Sequence, residues 1–231
     1  MKSLLFRPFC ILSVCLLANS LMAKEIRLFD GKTLEGWQNF GGGNFYVEDG
    51  AIVGETKAGL PNSFLATKAR YANFDLTLEF KIDSQLNSGI QIRSDVYAKP
   101  TTTIRWGGLT EKDGSRITRK VTWEEGRFWG YQVEIDPSER GWTGAIYEEA
   151  GRGFLHTPGQ LKNYRPNQWN RLRVVARGNH IQTWINDVPV AEVKDDLTAD
   201  GYVALQLHGI GKSLEKVGLK VRWRDIVLKP L

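Results

Sequence analysis

Strict alternation of apolar and polar residues between positions 74 and 82 constrains the fold of this chain more than any other sequence feature. Every second residue from Phe74 to Ile82 is apolar, which is typical of a β-strand that buries one face. Shorter stretches repeat the pattern at residues 172–176, 181–185, 203–207 and 219–223. The dipeptide Asn186-Asp187 between two short apolar stretches predicts a β-hairpin. No segment carries a sustained helical stripe, so the chain is predicted to be all-β, as a sandwich or a barrel.

The first 23 residues have the layout of a secretory signal peptide. Lys2 and Arg7 give a positive start, residues 9–17 are apolar, and Ala23 is a small residue at the expected cleavage site. The apolar stretch is shorter than the about 20 residues that a membrane span requires. We therefore expect a signal peptide over residues 1–23, no membrane span, and one domain over residues 24–231 in the periplasm or outside the cell.

Cysteine content and charge narrow the class of protein further. Both cysteines, Cys10 and Cys15, lie within the predicted signal peptide, so the mature chain has neither a disulfide nor a thiolate zinc site. Loss of Lys2 and Arg7 with that peptide lowers the formal net charge of +5 by two. The remaining charge is far from the dense basic stripe of a nucleic-acid-binding protein, so no nucleic-acid partner is expected.

One stretch lacks the alternation of its surroundings. Residues 98–128 are rich in threonine, glycine and charge, with Trp106 and Trp123 embedded. The composition predicts a long loop insertion, and loops of this length inside a compact domain are often functional. Its tryptophans are open to two interpretations, either packing of a surface insertion or a platform for a sugar.

The stretch from residue 87 to residue 93 predicts a strand with one polar face. Ile90 and Ile92 point to one side, so Gly89, Gln91 and Arg93 share the other. A glycine among polar neighbours lets a ligand approach the backbone, and an arginine is a permanently charged donor. This face is therefore either a ligand-binding surface or a solvated sheet face.

The strand predicted over residues 130–136 carries the sharpest signal. Gln132, Glu134 and Asp136 line up on the face opposite its apolar residues. Carboxylates two residues apart on a strand lie about 7 Å apart, and their repulsion raises one pKa unless a cation intervenes. The pattern suits a general base, a metal site or acceptors for sugar hydroxyls, or else a surface pair that arginines neutralise.

Two further segments supply candidate site residues. Gln206 and His208 share one face at the end of a predicted strand, and histidine can serve as base, acid or metal ligand near neutral pH. Tyr147 lies on a strand that precedes a glycine-rich charged loop. No phosphate-binding glycine motif and no nucleophile elbow occurs in the sequence.

The order of these motifs resembles that of the 3-keto-disaccharide hydrolase family of secreted bacterial proteins. The segments that carry the resemblance are residues 28–37, 87–90, 130–136, 143–147, 167–170, 183–187, 205–209 and 221–226. The resemblance implies a concanavalin A-like jelly roll, which is a two-sheet antiparallel β-sandwich. It also implies an oligosaccharide or glycoside oxidised to a ketone at carbon 3 as substrate, supplied by an upstream sugar 3-dehydrogenase.

Such a substrate implies elimination chemistry, because the ketone acidifies the proton on carbon 2. A base is then needed beside carbon 2, and a donor or cation beside the ketone oxygen. A divalent ion such as calcium, manganese or zinc is compatible with the oxygen and imidazole ligands, and no organic cofactor is expected. The expected catalytic residues are His208 as base with Glu134 as its alternate, and Glu134 and Asp136 as ligands of metal or hydroxyl groups. The expected sugar contacts are Arg93, Gln132, Tyr147 and Gln206.

Two other functions are compatible with the sequence. Residues 134–139 resemble the Glu-x-Asp-x-x-Glu motif of laminarinases, in which Glu134 would be the nucleophile and Glu139 the acid/base. Pro137 opposes that interpretation, because proline tends to end a central strand and would take Glu139 off the sheet face. The second alternative is a non-catalytic carbohydrate-binding domain, since fold does not fix function.

Overall fold

A computed structural model describes residues 24–110, 115–157 and 163–231 of the chain. It is an antiparallel two-sheet β-sandwich with a jelly-roll architecture, as the sequence predicts. Within these ranges no helix has the length and apolar character needed to cross a membrane. The signal peptide expected over residues 1–23 lies outside the described residues and stays a prediction.

The first sheet contains eight strands, one of which, β1 (Ile26–Arg27), pairs only with β17 (Lys220–Pro230). In spatial order the others are β15 (Val188–Lys194), β14 (His180–Ile185), β13 (Asn170–Arg177), β6 (Phe74–Ile82), β17 (Lys220–Pro230), β4 (Ala51–Glu55) and β3 (Asn44–Glu48), with β1 at Ile26–Arg27. The predicted hairpin is confirmed between β14 and β15. Asn186 and Asp187 both adopt positive φ there, at 49° and 67°, as a two-residue turn between twisted strands requires.

The second sheet contains seven strands and carries the candidate site. In spatial order they are β12 (Gly153–His156), β11 (Ile146–Glu149), β10 (Phe128–Ile135), β7 (Ser88–Val96), β16 (Tyr202–Leu207), β5 (Ser63–Thr67) and β2 (Trp37–Phe40). A single 3₁₀ turn at Leu214–Lys216 is the one helical element in the described part of the chain.

The core lies between the two sheets and follows from the alternation in the sequence. Strand β6 alternates buried and half-buried residues along its whole length, and its apolar side chains pack against those of the facing sheet. Phe80, Trp223, Ile90 and Val133 are fully buried there. Burial of each such side chain contributes about 1.5–3 kcal/mol of transfer free energy.

Strands β7 and β10 are buried on both faces, in contrast to β6. Gln91, Gln132 and Glu134, on the faces that point away from the core, are at most 5% exposed. Buried polar side chains must find hydrogen-bond partners because their desolvation is costly. The outer face of the seven-stranded sheet is therefore a covered, polar surface rather than an ordinary solvated one.

The segment over residues 98–128 is not the loop that its composition predicts. It contains a two-stranded sheet, β8 (Thr101–Thr110) and β9 (Arg116–Trp123). Most residues of β9 are exposed, so neither face needs to be apolar and no hydrophobic alternation marks the strands. The backbone N–H of Trp106 donates to the carbonyl of Arg152 at 2.8 Å, which fixes this hairpin beside the edge of the seven-stranded sheet.

Candidate functional site

A cleft of about 420 Å³ opens on the outer face of the seven-stranded sheet. Five of the residues singled out in the sequence line it, on strands β10, β11 and β16 and just after β16. They are Gln132, Glu134, Tyr147, Gln206 and His208. The volume lies within the range of cavities that hold small organic ligands.

Glu134 lies at the base of the cleft and has a strongly perturbed acidity. Its two carboxylate oxygens accept hydrogen bonds from Asn87 Nδ2 at 2.7 Å and from Gln132 Nε2 at 2.6 Å. Burial raises the pKa of Glu134 to about 7, against the opposing effect of these donors, and the charges of Asp136 and Glu149 raise it further. Glu134 is therefore suited to give and take a proton near neutral pH.

A chain of glutamines fixes the orientation of Glu134. Gln132 Oε1 accepts from Gln91 Nε2 at 2.6 Å and from Gln206 Nε2 at 2.8 Å, so its amide nitrogen must face the carboxylate. The side chain of Gln132 crosses strand β7 directly above Gly89. A Cβ atom at Gly89 would lie 2.5 Å from Gln132 Cγ and Cδ. The glycine thus admits a side chain of the protein at the point where the sequence suggested a ligand.

We expect Gly89→Ala to break this glutamine chain. The new methyl group displaces Gln132, so a loss of about 1–3 kcal/mol in the free energy of unfolding should accompany the loss of ligand binding. Urea denaturation measures the free energy of unfolding. In a Gln132→Ala background the same change should cost little additional stability, because the clashing side chain is gone. An equal cost in both backgrounds would show that Gln132 is not what Gly89 accommodates.

His208 lies at the rim of the cleft as a neutral imidazole. Burial lowers its pKa, and the charges of Arg127 and Lys216 act in the same direction. Its Nδ1 atom lies 2.8 Å from the carbonyl oxygen of Gly209. Because a carbonyl only accepts, Nδ1 carries the proton and Nε2 keeps a free lone pair. The tautomer is thus fixed in the form that acts as a base.

Glu149 and Arg127 belong to the cleft but were missed in the sequence. Arg127 pairs with the buried carboxylate of Glu149, and burial raises the pKa of Glu149. Arg127 Nε and Gln206 Oε1 are buried without a hydrogen-bond partner among the described residues. An unmet donor and an unmet acceptor in one cleft suit a polyhydroxylated or carbonyl-bearing ligand. Glu149 lies two residues after Tyr147 on strand β11. Because residues two apart on a strand share a face, the position of Tyr147 could have placed Glu149 on the cleft side of the sheet.

Arg105 enters the cleft from the β8–β9 hairpin. It donates to the hydroxyl of Tyr147 at 2.5 Å, and burial raises the pKa of that hydroxyl. Arg105, Arg127 and Arg140 all line the cleft. Arg127 and Arg140 each pair with a carboxylate, whereas Arg105 forms no salt bridge within the described ranges. Its positive charge therefore favours a negative charge that develops in the cleft during a reaction.

Asp136 lies in an adjoining cavity and is not a free ligand. Its carboxylate accepts from Arg140 Nε at 2.8 Å and from the backbone N–H of Ser138 at 3.1 Å. The expected divalent metal therefore does not fit these residues, since Arg140 engages Asp136, amide donors engage Glu134, and Arg127 engages Glu149. No group of three or more metal-ligating side chains occurs in the described ranges.

Arg93 does not lie on the ligand-binding face, which corrects the expectation from the sequence. A bulge in the pairing of β7 with β10 and β16 shifts the register there, and Arg93 adopts a φ of 47°. The added residue turns the side chain to the other side. Arg93 donates to the carbonyls of Ala72 and Gly178, at 2.6 and 2.5 Å, and so links the two sheets.

Glu139 does not join Glu134 on the sheet face. Strand β10 ends at Ile135, and Glu139 is exposed in the turn that follows Pro137. The paired carboxylates of a retaining glucanase need to flank one glycosidic bond at about 5 Å. The geometry therefore opposes the glucanase alternative, as Pro137 led us to expect.

Several solved structures share this architecture. A candidate glycosyl hydrolase from Parabacteroides distasonis is 19% identical, with a TM-score of 0.56 over 90% of this chain and 94% of that chain. A carbohydrate binding module from Bacillus subtilis is 12% identical, with a TM-score of 0.56 over 84% and 95% of the two chains. A Bacillus subtilis protein with a galectin-like fold is 12% identical, with a TM-score of 0.60 over 85% and 90%. At these identities the likeness concerns the fold.

Fold and cleft together define a galectin-like β-sandwich with a polar, arginine-rich ligand site. A comparison with curated protein sequences finds no match. The model of the 3-keto-alpha-glucoside-1,2-lyase-like domain family matches residues 24–229. The chain belongs to that family, which confirms the resemblance seen in the sequence and relates the protein to carbohydrate-active enzymes.

Proposed function

We propose that the protein cleaves 3-keto-glycosides by removing the proton on carbon 2, eliminating the group on carbon 1 and adding water. The observation that carries the proposal is the pair formed by His208 and Glu134 in one cleft of a member of this family. One offers a free lone pair, and the other has a pKa of about 7. Groups with these properties can exchange protons at neutral pH.

His208 is the base of the first step. Its Nε2 takes the proton from carbon 2, and the electron pair of the broken bond delocalises onto the ketone oxygen at carbon 3. Arg127 stabilises the resulting enolate, since its Nε–H has no other partner in the described ranges and the developing charge is negative. Gln206 Oε1 accepts a hydrogen bond from a sugar hydroxyl, since this oxygen also has no other partner in the described ranges.

Glu134 is the acid of the second step. The enolate electrons form a double bond between carbons 1 and 2, the bond from carbon 1 to the leaving oxygen breaks, and Glu134 protonates that oxygen. Water then adds its hydroxyl to carbon 1 and gives its remaining proton to the carboxylate of Glu134, while carbon 2 regains a proton from His208, so both side chains return to their starting states. The net reaction is hydrolysis, with no change in oxidation state and no metal required in any step.

The substrate and the place of action complete the proposal. The ketone must be made before the enzyme acts, so the reaction needs an oxidoreductase that acts on carbon 3 of the glycoside. The N-terminal layout of charged, apolar and small residues supports export to the periplasm or beyond.

We expect the protein to release the aglycone from a 3-keto-glucoside and to leave the unoxidised glucoside intact. The reason is that only the ketone makes the proton on carbon 2 acidic enough for removal by an imidazole. Release of a chromogenic aglycone, each substrate assayed with and without a chelator, measures this. Activity should persist in the chelator, because the carboxylates that would hold a metal are already paired.

The outcomes of this assay separate the alternatives. Cleavage of the plain glucoside would contradict the elimination route and favour a conventional glycosidase. Binding of glycans without cleavage of either substrate would favour a carbohydrate-binding domain. Loss of activity in the chelator, with recovery on adding a divalent ion, would restore the metal-assisted version of the reaction.

A further inference from the structure

A second cavity, of about 600 Å³, adjoins the cleft between the β8–β9 hairpin and strand β12. The two cavities share four lining residues, Arg105, Arg140, Tyr147 and Phe154. The two cavities therefore lie side by side along these side chains. With the keto sugar held beside His208 and Glu134, a ring joined to carbon 1 has this second cavity as a neighbouring space.

The second cavity is strongly cationic. Arg105, Arg116, Arg119 and Arg140 line it, and no carboxylate is found among its described lining residues. Arg105 and Arg119 lie directly opposite each other in the hairpin pairing. Like charges in that position destabilise a strand pair, so the hairpin carries a repulsion that a bound anion would relieve.

Three of these arginines form no salt bridge within the described residues. Arg105 donates to a neutral tyrosine hydroxyl, and Arg116 donates to the carbonyl of Phe154 at 3.0 Å. Arg119 takes part in no salt bridge there, whereas Arg140 pairs with Asp136. Among the residues that the structure describes, no carboxylate therefore neutralises the charge of these three arginines.

Tryptophan faces hold two of the guanidinium groups in place. The guanidinium carbon of Arg140 lies 4.2 Å from the ring centre of Trp142, and that of Arg116 lies 4.6 Å from the ring centre of Trp106. Stacking on a ring leaves the N–H groups in the guanidinium plane pointing sideways. Arg140 directs part of this edge to Asp136, whereas Arg116 donates one N–H to the carbonyl of Phe154 and pairs with no carboxylate among the described residues. That edge matches the paired oxygens of a carboxylate or a sulfate.

We propose that this second cavity binds an acidic sugar ring, one that carries a carboxylate or a sulfate ester, as the leaving group of the reaction. Its role as leaving-group site rests on the proposed function, whereas its preference for an anion rests on the arginines alone. The protein would then act on keto-glycosides of acidic sugars in preference to neutral ones.

The test compares three 3-keto-glucosyl disaccharides whose second ring is glucose, glucuronate or glucose 6-sulfate. We expect kcat/KM for the acidic substrates to exceed that for the neutral one by about tenfold or more, because hydrogen bonds from a guanidinium group to an anion are stronger than those to a neutral hydroxyl. The double variant Arg116→Gln/Arg119→Gln should lose this preference, so that its kcat/KM values on the three substrates become equal. Arg177→Gln, a change to an exposed arginine at the end of β13 in the other sheet, should retain it.

Each outcome bears on one proposal or the other. A higher kcat/KM with both acidic rings than with glucose indicates a general anion site. A higher kcat/KM with only one of them identifies the anion that the cavity prefers. Equal kcat/KM on all three substrates overturns the acidic-ring inference and leaves the proposed function standing. If no keto-disaccharide is cleaved, the proposed function fails. In that case calorimetric titration of free glucuronate, glucose 6-sulfate and glucose decides the inference. Tighter binding of the two acidic sugars by the wild type, lost in the double variant, supports it. Equal affinity for all three sugars in both proteins overturns it.

Discussion

Glu134→Gln is expected to lower kcat on a 3-keto-glucoside by about 10²–10⁴-fold, the usual range for loss of a general acid or base. Glutamine keeps the size of the side chain but cannot protonate the leaving oxygen. His208→Ala should cause a loss of similar size, because no other described side chain that lines the cleft offers an unpaired basic nitrogen. Steady-state assays at the pH optimum of the wild type measure both effects.

Glu134→Gln should also change how the free energy of unfolding depends on pH. The pKa of Glu134 is about 7 in the folded protein and 4.5 in its ordinary state, so the folded state binds the proton more tightly. Its contribution to stability is fully present at low pH and is lost as pH rises from about 4.5 to about 7. The loss is on the order of 3 kcal/mol. Urea unfolding at pH 5 and pH 8 should show this difference in the wild type and much less of it in Glu134→Gln.

Glu139→Gln is the matched control for the catalytic prediction. Glu139 is an exposed glutamate in the turn that comes after the same strand, so its replacement should leave kcat unchanged. A large loss in that variant would instead revive the glucanase mechanism, which needs both residues. Near-wild-type turnover in both Glu134→Gln and His208→Ala would contradict the catalytic roles given to these two side chains.

Local periodicity was sufficient to predict the sandwich and much of the site. Residues two apart on a strand share a face, so the apolar positions of β10 and β16 assign Gln132, Glu134 and Gln206 to the opposite side without any knowledge of the partner strands. His208 is placed by the same count at the end of β16. These four side chains do line the cleft.

The remaining site residues depend on features that no single strand encodes. Arg105 reaches the cleft only because a polar hairpin forms and docks, and neither of its strands shows hydrophobic alternation. Glu149 pairs with Arg127, which lies 22 residues away in the chain. The bulge that turns Arg93 inward adds one residue to a strand and reverses the faces of the residues after it. Such an addition is invisible to a count of alternate positions.

Arg93→Met is expected to cause the largest loss of stability, about 2–4 kcal/mol, without affecting the affinity for substrate. Arg93 is fully buried and donates to two backbone carbonyls and to Asn73 Oδ1. Methionine fills most of the volume but leaves both carbonyls without this donor, and an unsatisfied buried acceptor costs about 1–3 kcal/mol. The contacts also hold Arg93 at a positive φ, a strained conformation for a residue other than glycine.

Two measurements distinguish this structural role from the ligand contact that the sequence suggested. The free energy of unfolding should fall in Arg93→Met and change by less than about 0.5 kcal/mol in the control Arg177→Met, an exposed position. KM for the keto-glucoside, measured where both variants are folded, should match that of the wild type. An Arg93→Met protein with normal stability and a raised KM would return Arg93 to the binding site. Lowered stability with an unchanged KM would establish that the bulge in β7 turns Arg93 inward to join the two sheets. Gln91 and Ser94, which are hydrogen-bonded to each other, then continue the polar face.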